Sequence, residues 1–265
     1  MKKFDGYCLF SDMDGTLVDA AFELPQRNIE AIRYFTENGG RFAVATGRGL
    51  HPRTMVLLDK LSINLPCVML NGGLIYDVQS EKALHAYYLP QEESRELARK
   101  LIADFPDQSI VVWCDGCQAQ LGINKLNMLY FEERTLDSID EPFLKLVISN
   151  DEGKQDETVA YIKANTSDKV YTTTSSPRFT ELMPMGVSKA QGIENMINEM
   201  GLCREKVIVM GDYFNDIEML SLPGVRAFCP ENAHDDIKKI CERSFCHVDD
   251  GAVAAAIEFL DKELG

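Results

Sequence analysis

Apolar and polar positions alternate along this chain with two periods, and the switches between them outline its elements. The apolar run Tyr7-Cys8-Leu9-Phe10 predicts a strand over residues 7–12. Ile29, Ile32 and Phe35 then recur at helical spacing, so residues 25–38 read as a helix that Gly39-Gly40 stops. Residues 41–46 read as a second strand, 50–61 as a helix and 67–70 as a short apolar strand. This β-α-β-α-β rhythm belongs to an open parallel sheet. It returns after residue 188: a helix over 188–200 with Ile193, Met196, Ile197 and Met200 inward, a strand over 206–210, a helix over 215–222, a strand over 225–228, and helices over 234–241 and 250–260.

Between these stretches the rhythm differs. Residues 74–78 and 83–89 read as a hairpin, and 92–105 as a helix with Leu97, Leu101, Ile102 and Phe105 on one face. Residues 109–114 and 117–123 form a second hairpin across Asp115-Gly116, a two-residue turn signal. A helix near 127–134, a strand over 143–149, a helix over 155–165 and strands over 169–174 and 178–183, joined at Ser175-Ser176-Pro177, complete the region. The expected fold is α/β: a Rossmann-like parallel-sheet core, residues 1–84 and 183–265, interrupted by an inserted α+β domain, residues 85–182. No internal repeat or low-complexity tract is present.

Composition narrows the classes. In 265 residues, 45% are hydrophobic and 26% charged, enough for a full core without staples. The net charge is −15, from 27 basic and 42 acidic residues. That excludes the basic footprint that nucleic acid requires and opposes an anionic membrane surface. No apolar run of membrane-spanning length occurs, and the apolar stretch near the N-terminus is broken by Asp5, Asp12 and Asp14, so a cytoplasmic location is expected. Eight Cys are too few for a disulfide scaffold. Cys114-Asp115-Gly116-Cys117 has half-site spacing for zinc or redox chemistry, but no second pair matches it, and a hairpin with cross-strand Cys explains it. His51, His85, His234 and His247 are scattered and form no triad pattern. No Walker-type loop or Gly-x-Gly-x-x-Gly is present.

The chemistry concentrates at strand ends. In an open α/β sheet, ligands bind beyond the carboxyl ends of the strands. The first strand ends in Asp12-Met13-Asp14-Gly15-Thr16, the second in Thr46-Gly47-Arg48-Gly49, and the strand over 206–210 in Gly211-Asp212-Tyr213-Phe214-Asn215-Asp216. If these strands are parallel neighbours, four Asp meet in one crevice. They then require a cation, and hard oxygen ligands suit Mg²⁺ better than Zn²⁺. The alternative for Asp12-Met13-Asp14 is a strand closing in a Gly turn with a capping Asp. Thr46 offers a hydroxyl and the Gly47 backbone its N–H groups to an anion, or both serve a turn. Arg48 faces a phosphate or the solvent; solvent or a structural salt bridge is the expectation. Lys189 follows Ser188, a good N-cap, and so opposes its own helix dipole. Such a cation becomes useful beside an Asp cluster and a phosphate. Asn71-Gly72-Gly73 reads as a tight turn or a close backbone approach to a ligand.

Taken in order, these pieces resemble the haloacid dehalogenase superfamily. Asp12-Met13-Asp14-Gly15-Thr16 is similar to its first motif, Thr46 to its second, Lys189 in Gly186-Val187-Ser188-Lys189 to its third, and Gly211-Asp212 with Asn215-Asp216 to its fourth. The insert resembles the cap of the Cof-type sugar-phosphatase branch, and Asn71-Gly72-Gly73 that branch's Asn-Gly-Ala stretch. The resemblance implies a Mg²⁺-dependent phosphatase acting on a small phosphorylated metabolite. It implies Asp12 as nucleophile and Asp14 as general acid and base. Asp12, the Asp14 backbone carbonyl and Asp212 would bind the metal, with Asp216 reaching it through water. Thr46, Gly47, Lys189 and Asn215 would hold the phosphoryl group, and the cap, with Arg178 among its polar residues, would select the leaving group. Tyr213-Phe214 and Cys229-Pro230-Glu231-Asn232-Ala233 depart from the family pattern, the second bearing on any role for Asn232. A monomer is expected. The rivals are a phosphomannomutase-like mutase, which returns the phosphoryl group to a sugar, and a non-catalytic metabolite sensor, which has no need of Asp12 and Asp14.

Overall fold

The computed structural model describes residues 2–122, 132–151, 153–176 and 178–265. The elements of the first stretch are β1 (Cys8–Ser11), α1 (Gln26–Glu37), β2 (Arg41–Val44), α2 (Pro52–Leu58), β3 (Cys67–Met69), β4 (Leu74–Asp77) and β5 (Lys82–Ala86). There follow α3 (Gln91–Asp104), β6 (Ser109–Cys114), β7 (Gln118–Gly122), β8 (Glu132–Glu133), β9 (Phe143–Ser149), α4 (Gln155–Ala164), β10 (Val170–Ser176) and β11 (Phe179–Pro184). The chain closes with α5 (Lys189–Met200), β12 (Val207–Met210), α6 (Ile217–Leu220), β13 (Arg226–Cys229), α7 (Asp235–Ile240), β14 (Arg243–Ser244) and α8 (Ala252–Glu263).

Two compact units result, one from the residues up to His85 with Ser188–Gly265, the other Ala86–Val187. The boundary expected at residue 182 is corrected to Val187, because β11 pairs with β10 through Pro184 and Tyr171 Oη donates to the Val187 carbonyl. The first unit carries a five-stranded sheet ordered β14-β13-β12-β1-β2, parallel throughout. Apart from the exposed edge strand β14, its strands are buried at nearly every position, which is why they read as continuous apolar runs rather than alternations. The chain leaves β1 toward β2 and returns on the other side at β12, so the crevice where strand order reverses opens beside β1. Register sets the tips level: Ser11 pairs with Met210 on one side and Val44 on the other. A three-stranded sheet, β3-β4-β5, continues from β2 through a parallel bridge between Ala45 and Val68.

Packing reverses one expectation. In α1 the fully buried positions are Asn28, Ile32 and Phe35, with Ile29 only half-buried. Asn28 is satisfied inside: it donates to the Leu17 carbonyl at 3.0 Å and accepts from Ala254 N at 2.9 Å, tying the loop after β1 to α8. The helix expected over 215–222 is a 3-10 turn, Phe214–Asp216, followed by the four residues of α6.

In the second unit β10-β11-β9-β6-β7-β8 form one sheet, antiparallel except for β7 with β8. Leu97, Ala98 and Leu101 of α3 and Ile162 of α4 complete its core with Ile110, Val112, Leu146, Ile148 and Leu182. Residues 127–131 of the helix expected near 127–134 lie outside the described residues, whereas Glu132–Glu133 form β8. Cys114 and Cys117 flank the hairpin turn, with Cys114 N donating to the Cys117 carbonyl at 2.8 Å. Lys145 and Glu181 are both buried in this sheet and paired at 2.7 Å. Among the described residues no helix is long and apolar enough to cross a membrane.

Candidate active site

β1 and β12 deliver their terminal carboxylates to one place. Asp12 N donates to the Met210 carbonyl at 2.8 Å, extending the β1–β12 ladder by one residue, so Asp12 leaves the sheet beside Gly211-Asp212. Carboxylate oxygens of Asp12, Asp212 and Asp216 lie within 4.8 Å of one another, and among the described residues this is the one such group of metal-ligating type. Asp12 and Asp216 are buried.

Lys189, at the start of α5, reaches into the same cluster. Its Nζ donates to Asp12 Oδ1 at 2.6 Å and to Asp216 Oδ1 at 2.7 Å. Ser188 caps this helix, its hydroxyl accepting from Gln191 N. Gly72 lies so close to the Ser188 carbonyl that a side chain would collide with it, and its φ of 96° suits glycine alone. The turn Leu70–Gly72 thereby fixes where α5 begins and where Lys189 points.

The loop after β12 is braced by Asp216 itself. Its Oδ2 accepts from Asp212 N at 2.9 Å and Tyr213 N at 3.2 Å. Asp212 Oδ1 accepts from the buried Thr16 hydroxyl at 3.0 Å, and Gly15, with φ 77°, allows the two loops to meet where any side chain would strike the Asp212 carboxylate. Asn232 closes the third side, donating to the Gly15 carbonyl at 2.7 Å and accepting from Val248 N at 2.9 Å. The bracing by Thr16 was not foreseen, although its place right after the acidic pair was a signal. Asn232 is now seen to have a concrete structural part.

Electrostatics follow from burial. Burial pushes the Asp12 carboxyl well above the usual carboxylate range; Lys189 opposes this while Asp216, Asp212 and Asp14 add to it. Asp212 is pushed up to about 7, first by burial and then by Asp216 and Asp14, against the Thr16 hydrogen bond and Lys189. Burial also works against the Lys189 ammonium, but Asp12 and Asp216 more than reverse it, and its pKa stands above the ordinary lysine value. Three carboxylates face one ammonium in a buried crevice, an excess of negative charge borne by hard oxygen donors. These residues fit a divalent cation such as Mg²⁺.

The expected meeting of four carboxylates is corrected to three. The Asp14 side chain turns away to a bidentate pair with Arg48, Nε to Oδ2 at 2.7 Å and Nη2 to Oδ1 at 2.6 Å. Of the two expectations for Arg48, solvent or a structural salt bridge, the structure shows the salt bridge. Thr46 is buried, and its hydroxyl accepts from Arg48 N at 3.1 Å, which leaves the O–H to donate. Gly47 packs against Asn71, and Asn215 Nδ2 donates to Asn71 Oδ1 at 3.4 Å, so these three lie together on the β2 side of the cluster. Arg178 is exposed at the β10–β11 turn of the other unit.

Comparisons with known proteins agree with this arrangement. The family model for haloacid dehalogenase-like hydrolases matches residues 9–257. The 5-amino-6-(5-phospho-D-ribitylamino)uracil phosphatase YcsE of Bacillus subtilis is 26% identical over 250 residues, 92% of each protein. The chloroplastic endoribonuclease YBEY of Arabidopsis thaliana is 25% identical over 272 residues, covering 94% of this chain; the chain spans 45% of that plant protein's length. A solved haloacid dehalogenase-like hydrolase from Bacteroides thetaiotaomicron superposes with a TM-score of 0.83 at 28% identity, over 96% of this chain and 99% of that one. With the match running through nearly the whole chain and the acidic strand tips gathered in one crevice, the protein belongs to the haloacid dehalogenase-like hydrolase family.

Proposed function

We propose that this hydrolase splits small phosphomonoesters through an aspartyl-phosphate on Asp12, with Mg²⁺ as cofactor. The supporting observation is the cluster itself: a buried carboxylate at the tip of β1, two further carboxylates within 4.8 Å and a buried ammonium 2.6 Å away. In this reading Asp12, Asp212 and the Asp14 backbone carbonyl hold the cation directly and Asp216 holds it through water, consistent with both Asp216 oxygens already accepting hydrogen bonds. Bound there, Mg²⁺ supplies positive charge against the phosphoryl oxygens.

The chain's own residues divide the work. An Asp12 oxygen attacks phosphorus, forming a P–O bond as the bond to the ester oxygen breaks. Asp14 gives its proton to that departing oxygen, which leaves as the alcohol. Asp14 then takes a proton from water as the water oxygen attacks phosphorus; the bond to Asp12 breaks, releasing inorganic phosphate and restoring the Asp12 carboxylate. Lys189, the Thr46 hydroxyl, the Gly47 backbone and Asn215 hold the phosphoryl oxygens, whose spread charge they stabilise in the transition state. Sugar phosphates and esters like that of YcsE, with a ribityl chain ending in a heteroaromatic ring, are the substrates to try first.

A phosphate-release screen over a panel of phosphomonoesters tests this. Wild type with Mg²⁺ should release phosphate, EDTA should stop it and added Mg²⁺ restore it. Asp12→Asn should lower turnover by at least about 10³-fold. Turnover that persists in EDTA contradicts the cation, and near-normal activity in the variant contradicts the nucleophile.

A further inference from the structure

The loop between β1 and α1 contains a strained residue that the reaction scheme does not yet use. Phe22 has φ 64°, a left-handed conformation that an aromatic residue adopts only when its surroundings impose it. The surroundings are a tight turn: Phe22 N donates to the Asp19 carbonyl at 3.0 Å, Asp19 N to the Glu23 carbonyl at 3.1 Å, and Glu23 N to Asp19 Oδ1 at 2.7 Å. The turn lays the Phe22 ring, itself buried, beneath two guanidinium groups. The Arg48 guanidinium carbon stands 3.9 Å from the ring centroid and that of Arg53 stands 4.7 Å from it. Arg53 is held in turn by the Ala21 carbonyl at 3.2 Å. Arg48 is thus fixed on one side by an aromatic face and on the other by both oxygens of Asp14.

The geometry points to Arg48, seated on Phe22, as the positioning residue that sets the plane of the Asp14 carboxyl for proton transfer. A planar fork that engages both oxygens fixes the rotation of the carboxyl group, which a single point contact does not do. Each Asp14 oxygen keeps a second lone pair, so the group can exchange a proton while it is clamped. Arg48 needs no contact with substrate for this; it acts through Asp14. The strain at Phe22 has its counterpart here, since the turn that imposes it also presents the ring face to Arg48. The inference rests on the phosphatase reading with Asp14 as acid and base, and it names what holds that group still.

The test separates proton delivery from everything else at the site. An alkyl phosphate needs its leaving oxygen protonated, whereas p-nitrophenyl phosphate expels a weakly basic phenolate that does not. In single-turnover rates of the first step, Arg48→Lys should slow the alkyl ester by about tenfold or more and leave nitrophenolate release within about twofold of wild type. KM for the alkyl ester should stay within about twofold, because the phosphoryl contacts are untouched. Phe22→Leu, which keeps apolar bulk but removes the aromatic face, should move the same two rates in the same directions to a smaller extent. Equal slowing of both esters, a raised KM with unchanged kcat, or full activity in Arg48→Lys would overturn the assignment. A wild type that hydrolyses neither ester would instead refute the phosphatase reading itself, so the two failures are distinct.

Discussion

Lys189 is the residue on which the most charge converges. It neutralises two buried carboxylates at once, and removing one partner of a buried ion pair leaves uncompensated charge in the core. Lys189→Met should therefore abolish turnover and lower the stability of the metal-free protein by about 3–5 kcal/mol in urea unfolding. Saturating Mg²⁺ should narrow that loss, and an unchanged urea midpoint would contradict the pairing. The residues that carry the acidic cluster were legible because a carboxylate has little other reason to end an apolar strand. Their pairings were not. That Asp14 turns to Arg48 while Asp12 turns to Lys189 depends on side-chain directions set by loops far apart in the chain. The histidines were equally unreadable: His51, His234 and His247 each place Nδ1 against a backbone N–H two residues on, capping the starts of α2, α7 and the turn Val248–Asp250. Ser, Thr, Asp and Asn are the caps one looks for in a sequence, so these were seen only as scattered imidazoles.

Among elements, α5 matters most to the site, because its first residue is Lys189. Ser188→Ala removes the hydroxyl that accepts from Gln191 N and should cost about 1 kcal/mol of stability. It should also weaken turnover, since the cap fixes the turn from which Lys189 projects; a variant with wild-type melting and kcat would contradict this. Most strands and helices were readable from period and punctuation. The Ser188 cap and Gly201, in the left-handed conformation at the helix end, bracket α5 within a residue of expectation. The stretch after Asp212 was misread as one helix over 215–222. Asp216 spends both oxygens inside the site, on Lys189 and on the N–H groups of Asp212 and Tyr213, and the turn this imposes delays regular helix until Ile217. β8 and β14, two residues each, are too short to show any period.

For the whole molecule, the parallel core and its α+β insert were legible from the change of rhythm, while the boundary near residue 187 was not, because β11 gives no local sign of where its pairing ends. The same scale governs pH response. Asp212 has a folded pKa of about 7, above its unfolded value, so between about pH 4 and 7 the metal-free native state binds a proton that the unfolded chain has released. Stability of the metal-free protein should fall as pH rises through that window, and Asp212→Asn should flatten the fall; melting curves that rise over the same range in EDTA would contradict it. The surplus of 42 acidic over 27 basic residues adds general self-repulsion, which salt should relieve in both proteins alike. In the proposed reading all of this serves one event, transfer of a phosphoryl group to Asp12. The most direct test mixes Asp14→Asn, which forms the intermediate from an aryl phosphate but lacks the base to hydrolyse it, with p-nitrophenyl phosphate and Mg²⁺, followed by acid quench and peptide mass spectrometry. The account predicts one phosphoryl group on Asp12 in near-stoichiometric amount. Release of nitrophenolate with no phosphoryl group on Asp12 would contradict it.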